Sequence, residues 1–322
     1  MNLPVLNFKL IKNPIIHSLL VTLFLSIGYS LLGGLKVLQP SEGVNQWQRN
    51  VIRIQRYSYQ PYSKLNVVLV GSSLTDNIPT DKIGDYIINL GMSGGCAQTG
   101  LEAIIRQDIK PKLLLVELNH TIRIQADKKI IESNYNPVLY PLRRYLPSFR
   151  EEYKPSVQII LMFHTLSKIF HELIYQSQVV DRQIKTQKDL GEKEDKPLTS
   201  EYKKLGDRLI SQAIQNNSKL LSEGEKSSLR QESQHIKSQI SKIEHDGTQV
   251  ILFNVPGDYR LKSTLSVKEY RIFMKELFPS NNFDWLPEPP SREWLTGDGV
   301  HLVKSDARIY ADFLRGRLIK LF

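Results

Sequence analysis

The chain has 322 residues, of which 41% are hydrophobic and 9% aromatic. This apolar content is enough for a buried core, so a wholly disordered protein is excluded. The formal net charge of +10 suits an anionic polymer or lipid surface. No zinc-finger, RNP-type or helix-turn-helix signature accompanies the charge, so we expect no nucleic-acid partner. Cys96 is the single cysteine, which excludes intramolecular disulfides and cysteine-based metal clusters.

The first predicted element is an apolar helix. No charged residue lies between Lys12 and Lys36, and residues 13–35 are about long enough to cross the ~30 Å hydrocarbon core of a bilayer. The excess of lysine before this segment favours a cytoplasmic tail at 1–12 and an extracytoplasmic remainder. We therefore predict a single-pass membrane protein, with the membrane as a partner and room for a membrane-protein partner. A cleaved signal peptide and a buried soluble helix are the alternatives.

Strands and helices alternate over most of the remaining chain. A polar spacer is expected at 36–64, and strands are predicted at Leu65–Val70, Tyr86–Leu90, Lys112–Leu118 and Gln249–Val255. Helices are predicted at Leu101–Ile109, Ser156–Gln178, Ser211–His245 and Ser305–Leu321, with a charged loop or frayed helix at 181–205. The helix at 156–178 suits a lid or packing helix, or else a membrane-surface helix. The pattern predicts an α/β domain with a parallel sheet over 65–322, interrupted by a helical insertion at about 120–245.

Small residues follow the first predicted strand, in the turn Gly71-Ser72-Ser73. Such a turn exposes a hydroxyl and presents backbone N–H groups at the start of a helix. A serine in this position can act as a nucleophile whose own N–H stabilises an oxyanion. The alternative is a serine that only caps the next helix.

Two more turns offer oxyanion donors. The glycine-rich segment 89–95 follows the second strand, and the N–H of Gly94 could donate there, unless the segment is an ordinary tight turn. Asn119 follows the third strand directly, and its carboxamide could donate to an oxyanion or simply form a turn. Cys96 lacks any sign of activation, so we expect it to pack in the core.

An acid and a histidine lie three residues apart in the segment Asp298-Gly299-Val300-His301, just before the last predicted helix. A short loop can hold Asp298 behind the imidazole of His301, which fixes the tautomer and stabilises the imidazolium. His301 would then be a general base toward a serine. The alternative is a capping aspartate beside a surface histidine.

Together, these segments resemble the sequence blocks of the SGNH/GDSL hydrolase superfamily in order and in strand context. The matching segments are GSSLT at 71–75, NLGMSGG at 89–95, LVELN at 115–119 and DGVHL at 298–302. The resemblance implies a three-layer α/β/α sandwich like that of flavodoxin. It also implies an esterase or O-acyltransferase that works through an acyl-serine intermediate, without a cofactor or a metal.

By position, the resemblance implies a role for each matching residue. The nucleophile would be Ser73, the base His301, its orienting partner Asp298, and the oxyanion hole the Ser73 N–H with Gly94 and Asn119. Two departures matter. Ser72 stands where the family has aspartate, which makes it an alternative nucleophile, and the third block lacks the usual Gly-x-Asn-Asp, which puts Asn119 in doubt.

Similar GSS motifs behind an N-terminal anchor occur in SGNH-like proteins that modify cell-wall polymers. This looser likeness points to an acyl ester of a cell-envelope polymer or lipid as the substrate, and the positive net charge suits an anionic one. The competing hypothesis is a non-catalytic SGNH-like domain that binds or scaffolds an envelope assembly.

Overall fold

The computed structural model describes residues 14–34, 38, 40–60, 67–119, 125–159, 167 and 200–321. The chain divides into two compact units. The first unit comprises Met1–Gln48 and Asn134–Leu190, and the second unit comprises Arg49–Ser133 and Gly191–Phe322. All of the predicted site residues lie in the second unit.

The described residues form helices in both units and strands in the second unit. The helices are α1 Pro14–Gly34, α2 Gln46–Ser58, α3 Ser73–Asp76, α4 Ala97–Ile105, α5 Lys128–Asn134, α6 Leu139–Tyr145, α7 Ser200–Asn216, α8 Glu223–His245, α9 Leu265–Leu277 and α10 Lys304–Leu318. The strands are β1 Val67–Gly71, β2 Ile87–Gly91, β3 Leu113–Glu117, β4 Gln249–Phe253 and β5 Asp284–Trp285.

The first unit contains α1 and α6, followed by short 3-10 turns. One of these turns accepts a hydrogen bond from α1, from the Tyr29 hydroxyl to the Tyr153 carbonyl at 2.7 Å. Helix α1 coincides with the segment predicted as a membrane anchor. Within the described ranges, none of the helices combines the length and the hydropathy that a membrane crossing requires. The location of the second unit relative to a membrane stays a prediction of the sequence.

A five-stranded parallel sheet forms the centre of the second unit, in the order β2-β1-β3-β4-β5. Strands β1 and β3 are apolar along nearly their whole length and fully buried, as expected where helices cover both faces of a parallel sheet. Alternate side chains such as Leu69 and Leu115 pack with Leu314 of α10. On the other face, α4 approaches so closely that a Cβ on Gly100 would lie 2.9 Å from Val70 Cγ1.

The predicted α/β class and parallel sheet are confirmed, and the four predicted strands match β1 to β4 within their described parts. Strand β5 was missed because it has only two residues, too few to show a pattern.

Residues 36–64 contain a helix where the sequence predicts a spacer. Val51, Ile52, Ile54 and Tyr57 of helix α2 are buried, and all four belong to the second unit. These apolar residues have helical spacing, but they are diluted by arginines and glutamines, which hid the pattern.

Helix α8 lies within the segment that the sequence predicts as a helical insertion. It begins with a capping box between Ser222 and Glu225 and packs against α4 before leading into β4. It therefore lies on the crossover connection between the parallel strands β3 and β4. Most of the helix predicted at 156–178 and the first part of the charged loop predicted at 181–205 lie outside the described residues, and α7 begins at Ser200.

Candidate active site

The candidate site lies at the carboxyl ends of β1 and β3. In the sheet, β2 lies on one side of β1 and β3 lies on its other side. The direction in which successive strands are added therefore reverses between β1 and β3. Ligand sites of open parallel sheets lie in the crevice beyond such a reversal. Ser72 and Ser73 follow β1 directly, and Glu117 is the last residue of β3.

Ser73, His301 and Asp298 form one hydrogen-bonded row, called the triad below. The hydroxyl oxygen of Ser73 lies 2.9 Å from His301 Nε2, and His301 Nδ1 lies 2.7 Å from Asp298 Oδ2. With the proton on Nδ1, the imidazole donates to the carboxylate and accepts the serine proton at Nε2. The structure thus brings together Ser73 and His301, which are 228 positions apart and which the family resemblance pairs. It also brings together Asp298 and His301, which their spacing in one loop pairs.

The loop from 298 to 301 is built around the carboxylate. Asp298 Oδ1 accepts hydrogen bonds from the backbone N–H of Val300 at 2.9 Å and of His301 at 2.7 Å. Gly299 has a φ of +85°, which favours glycine and lets the loop fold back on Asp298. The loop therefore fixes the acid on the far side of the imidazole from the serine.

The pKa values of the acid and the base move apart. Burial by itself raises the pKa of Asp298, but the hydrogen bonds from His301 and Val300 outweigh it and lower this pKa to about 2. The hydrogen bond to Asp298 raises the pKa of His301, against the opposing effect of burial, and the negative charges of Asp76 and Glu117 add to the rise. Asp298 is thus ionised at neutral pH, and His301 is a stronger base than a free imidazole.

The structure brings His301 to Ser73 and not to Ser72, the alternative nucleophile. Ser72 is 1% exposed, and its hydroxyl lies 2.9 Å from Glu117 Oε1 while it accepts a hydrogen bond from the Leu74 N–H at 3.1 Å. Ser72 therefore caps α3, which is the alternative weighed for this turn.

Glu117 is a residue that sequence reasoning missed. This fully buried carboxylate accepts hydrogen bonds from the Ser72 N–H at 2.9 Å, the Thr75 N–H at 3.2 Å and the Thr75 hydroxyl at 2.5 Å. Burial raises its pKa, although the hydrogen bonds from Thr75 and Ser72 oppose the rise. In the sequence, Glu117 stands out as a lone acid at the end of an apolar strand. Because a buried acid requires hydrogen-bond donors, this position could have indicated a polar network beside the strand end.

Gly71 makes room for this arrangement. A Cβ at residue 71 would lie 2.1 Å from Thr75 Oγ1 and 2.3 Å from Glu117 Oε2, so any larger residue would displace the carboxylate or the turn. The presence of glycine at the start of the segment GSSLT (71–75) is therefore explained by the lack of space for a side chain.

The loop around Gly94 is hydrogen-bonded to α3, the short helix that begins with Ser73. The Ser93 hydroxyl donates to Asp76 of α3, and the Ser93 N–H donates to Asn50 Oδ1 at 2.9 Å. Gly94 is exposed and has a φ of +64°. Among the described residues, the N–H groups of Gly94 and Ser73 have no hydrogen-bond partner. Both are therefore available to donate to an oxyanion.

An ion pair of Asp76 also stabilises the turn that contains Ser72 and Ser73. Arg53 of α2 forms an ion pair with Asp76, and its Nη1 donates to the Gly91 carbonyl at 2.5 Å. A Cβ on Gly91 would lie 2.3 Å from the Asp76 nitrogen, so β2 and α3 are in close contact. Sequence reasoning missed this pair because it predicted a spacer in place of α2.

Asn119 has a structural role at the ends of two strands. Its Nδ2 donates to the Val255 carbonyl and its Oδ1 accepts from the Val255 N–H, both at 2.9 Å. Its own carbonyl accepts from the Tyr270 hydroxyl at 2.6 Å. The carboxamide thus ties together the ends of β3 and β4, and no described hydrogen bond joins it to the triad. Asn119 also lines a cavity of about 480 Å³, and its place in the oxyanion hole stays a prediction, as does that of Gly94.

A cavity of about 480 Å³ is lined by chain neighbours of Ser73, Asp298 and His301. Leu74, next to the candidate nucleophile, and Gly299 and Val300, between the acid and the base, form part of its wall. Its volume is within the range of small-molecule sites. A larger cavity of about 590 Å³ between α4 and α8 contains none of the predicted site residues, so the smaller one is the candidate substrate pocket.

Comparison of the chain with protein-family models, with curated proteins and with solved structures gave no match. The family resemblance therefore rests on the four sequence segments alone. A function for this chain has to be inferred from the geometry of its site.

Proposed function

We propose that the chain is a serine esterase or O-acyltransferase of the SGNH/GDSL type. The observation that supports this best is the hydrogen-bonded row of Ser73, His301 and Asp298, with 2.9 Å and 2.7 Å between successive partners. A hydroxyl, a base and an orienting acid in this order are what nucleophilic acyl transfer requires.

The fold is compatible with this assignment. The strand order β2-β1-β3-β4-β5 is that of flavodoxin-like sheets, and helices lie on both faces of the sheet. We infer the three-layer α/β/α sandwich of the SGNH family from this order. Because one fold hosts many activities, the triad and not the fold supports the function.

In the proposed reaction, His301 Nε2 accepts the proton of Ser73 Oγ as that oxygen attacks the acyl carbonyl. The N–H groups of Ser73 and Gly94 stabilise the oxyanion, and Asp298 stabilises the imidazolium. His301 then protonates the leaving alkoxide, which leaves an acyl-serine ester. Water or an acceptor hydroxyl then attacks the acyl carbonyl and gives its proton to His301. The bond from the acyl carbon to Ser73 Oγ breaks, His301 returns the proton to Ser73 Oγ, and the acyl group leaves as a free acid or as an ester of the acceptor.

The triad specifies the bond that is cleaved and not the molecule that contains it. An acyl ester of a cell-envelope polymer or lipid is the substrate class that we propose from the sequence resemblance and the net charge of +10. An extracytoplasmic location behind an N-terminal anchor belongs to the same proposal.

Hydrolysis of a short-chain p-nitrophenyl ester by the purified full-length protein tests the activity. We expect Ser73→Ala and His301→Ala to abolish turnover, and Ser211→Ala, at an exposed serine of α7, to leave it unchanged. Circular dichroism should show that every variant is folded. A folded wild type that hydrolyses no ester would contradict the esterase and leave a specialised O-acyltransferase or the non-catalytic scaffold. Reaction of Ser73 with a fluorophosphonate separates these two.

A further inference from the structure

The pocket beside the triad has two positively charged side chains in its wall. Lys262 follows β4 and Arg271 belongs to α9, and both line the cavity of about 480 Å³ that Leu74 and Val300 also line. Lys262 is exposed at its edge, whereas Arg271 is half-buried. Both also line an adjoining cavity of about 400 Å³, so they stand between two hollows.

Neither cation has an acidic partner among the described residues. Within the part of the chain that the structure describes, the side chains of Lys262 and Arg271 form neither ion pairs nor hydrogen bonds. Glu288 lines the adjoining cavity but forms no described ion pair with either of them. A half-buried guanidinium without a carboxylate is an unmatched charge, which an anionic ligand would complete.

Among the described residues of the pocket wall, Asp258 is the one acid, and it is already paired. Asp258 is buried and accepts hydrogen bonds from Arg260 Nε at 2.8 Å and from the Thr296 hydroxyl at 2.7 Å. Burial by itself raises the pKa of Asp258, but these hydrogen bonds outweigh it and lower the pKa, so the acid stays ionised and paired. The charge left over in the wall is therefore that of Lys262 and Arg271, and it is positive.

We propose that the substrate of this site is an ester that also has an anionic group, a carboxylate or a phosphate, which Lys262 and Arg271 bind while Ser73 attacks the acyl carbonyl. This inference rests on the proposed function and adds the chemical class of the substrate to it. The apolar part of the wall, which includes Leu261, Val267 and Tyr270, would hold the chain between the ester and the anion.

Two matched pairs of esters test the inference and locate the anion. Mono-p-nitrophenyl adipate against its methyl ester places a carboxylate in the acyl part. The second pair, 4-acetoxybenzoate against methyl 4-acetoxybenzoate, places it in the alcohol part. For each pair, the measured quantity is the ratio of kcat/KM for the anionic ester to kcat/KM for the neutral ester.

We expect Lys262→Gln combined with Arg271→Gln to lower this ratio about tenfold or more for at least one pair, as lost hydrogen bonds to a charge predict. The kcat/KM of the neutral esters should stay nearly unchanged. Lys268→Gln is the matched control, because Lys268 is an exposed lysine of α9 outside the pocket wall. A ratio that the double variant leaves unchanged for both pairs would overturn the inference.

A binding measurement separates failure of this inference from failure of the proposed activity. Calorimetry on the full-length Ser73→Ala protein compares monomethyl adipate with dimethyl adipate and needs no turnover. We expect tighter binding of the monoanion, lost on adding Lys262→Gln and Arg271→Gln. Equal affinity for the two compounds would contradict the anion site, whether or not the wild type hydrolyses esters.

Discussion

The buried carboxylate of Glu117 accepts hydrogen bonds from both the backbone N–H and the hydroxyl of Ser72. The same carboxylate binds Thr75, one turn further along α3. These contacts fix the start of α3, and the next residue, Ser73, is thereby presented to His301. Two adjacent serines thus have separate roles, one in positioning and the other in the proposed chemistry.

Replacing Ser72 tests this division. We expect Ser72→Ala to lower the free energy of unfolding by about 1–2 kcal/mol, because it removes the cap of α3 and one partner of Glu117. Ester hydrolysis should persist, since Ser73 and His301 keep their contact. Urea unfolding and turnover, measured beside Ser211→Ala, check both halves. Loss of turnover in a stable Ser72→Ala protein would move the nucleophile to Ser72.

Glu117 is expected to be a positioning residue. In Glu117→Gln, the amide oxygen can still accept from the Ser72 and Thr75 N–H groups that bind Oε2, but the NH2 group replaces Oε1 and faces the Ser72 hydroxyl, which donates to that oxygen. About 1–3 kcal/mol of stability should therefore be lost. The kcat should fall while KM changes little, because the variant disturbs the presentation of Ser73 and not the pocket. Glu102→Gln, at a partly exposed glutamate of α4 paired with Arg106, is the control for charge removal. An unchanged kcat and stability for Glu117→Gln would refute this role.

The pair Asp298–His301 predicts a pH dependence. Because a general base must be neutral and the pKa of His301 is raised, the acid limb of kcat/KM should lie above the ordinary histidine value of about 6.5. Asp298→Asn removes the largest cause of the rise, so the limb should move to lower pH. The kcat should also fall, by about 10³- to 10⁴-fold, as for a triad with the wrong tautomer. A limb that stays in place in Asp298→Asn would rule out the described coupling.

Asn119 offers a way to separate structure from catalysis. Asn119→Ala removes both hydrogen bonds to Val255, and we expect a loss of about 1–3 kcal/mol of stability. If its role is only to join the strand ends, kcat should change by less than about tenfold in protein that is still folded. An oxyanion donor would instead cost about 10²- to 10³-fold in kcat. The size of the drop at a temperature well below the melting point decides between the two roles.

The sequence predicts those parts of the molecule whose pattern is local. The strands β1, β3 and β4 are apolar runs that end in turns, and the acid and base are three residues apart in one loop. The serine turn is visible for the same reason. Chemistry confined to a few consecutive residues can be inferred without knowing how distant elements pack.

The supports of the site were missed because they depend on contacts between distant segments. Glu117 meets Ser72 across 45 positions, and Arg53 meets Asp76 only because α2 packs beside the turn. Asn119 reaches Val255 across 136 positions, so a single sequence cannot distinguish its bond to that strand end from a bond to an oxyanion.

Labelling with a fluorophosphonate tests the central claim most directly, because this probe reacts preferentially with an activated serine. The folded full-length protein should acquire one adduct, located by mass spectrometry on Ser73, and labelling should be lost in Ser73→Ala and strongly slowed in His301→Ala. Ser72→Ala should still be labelled. An unlabelled folded wild type, or an adduct on Ser72 or on a serine away from His301, would contradict the account.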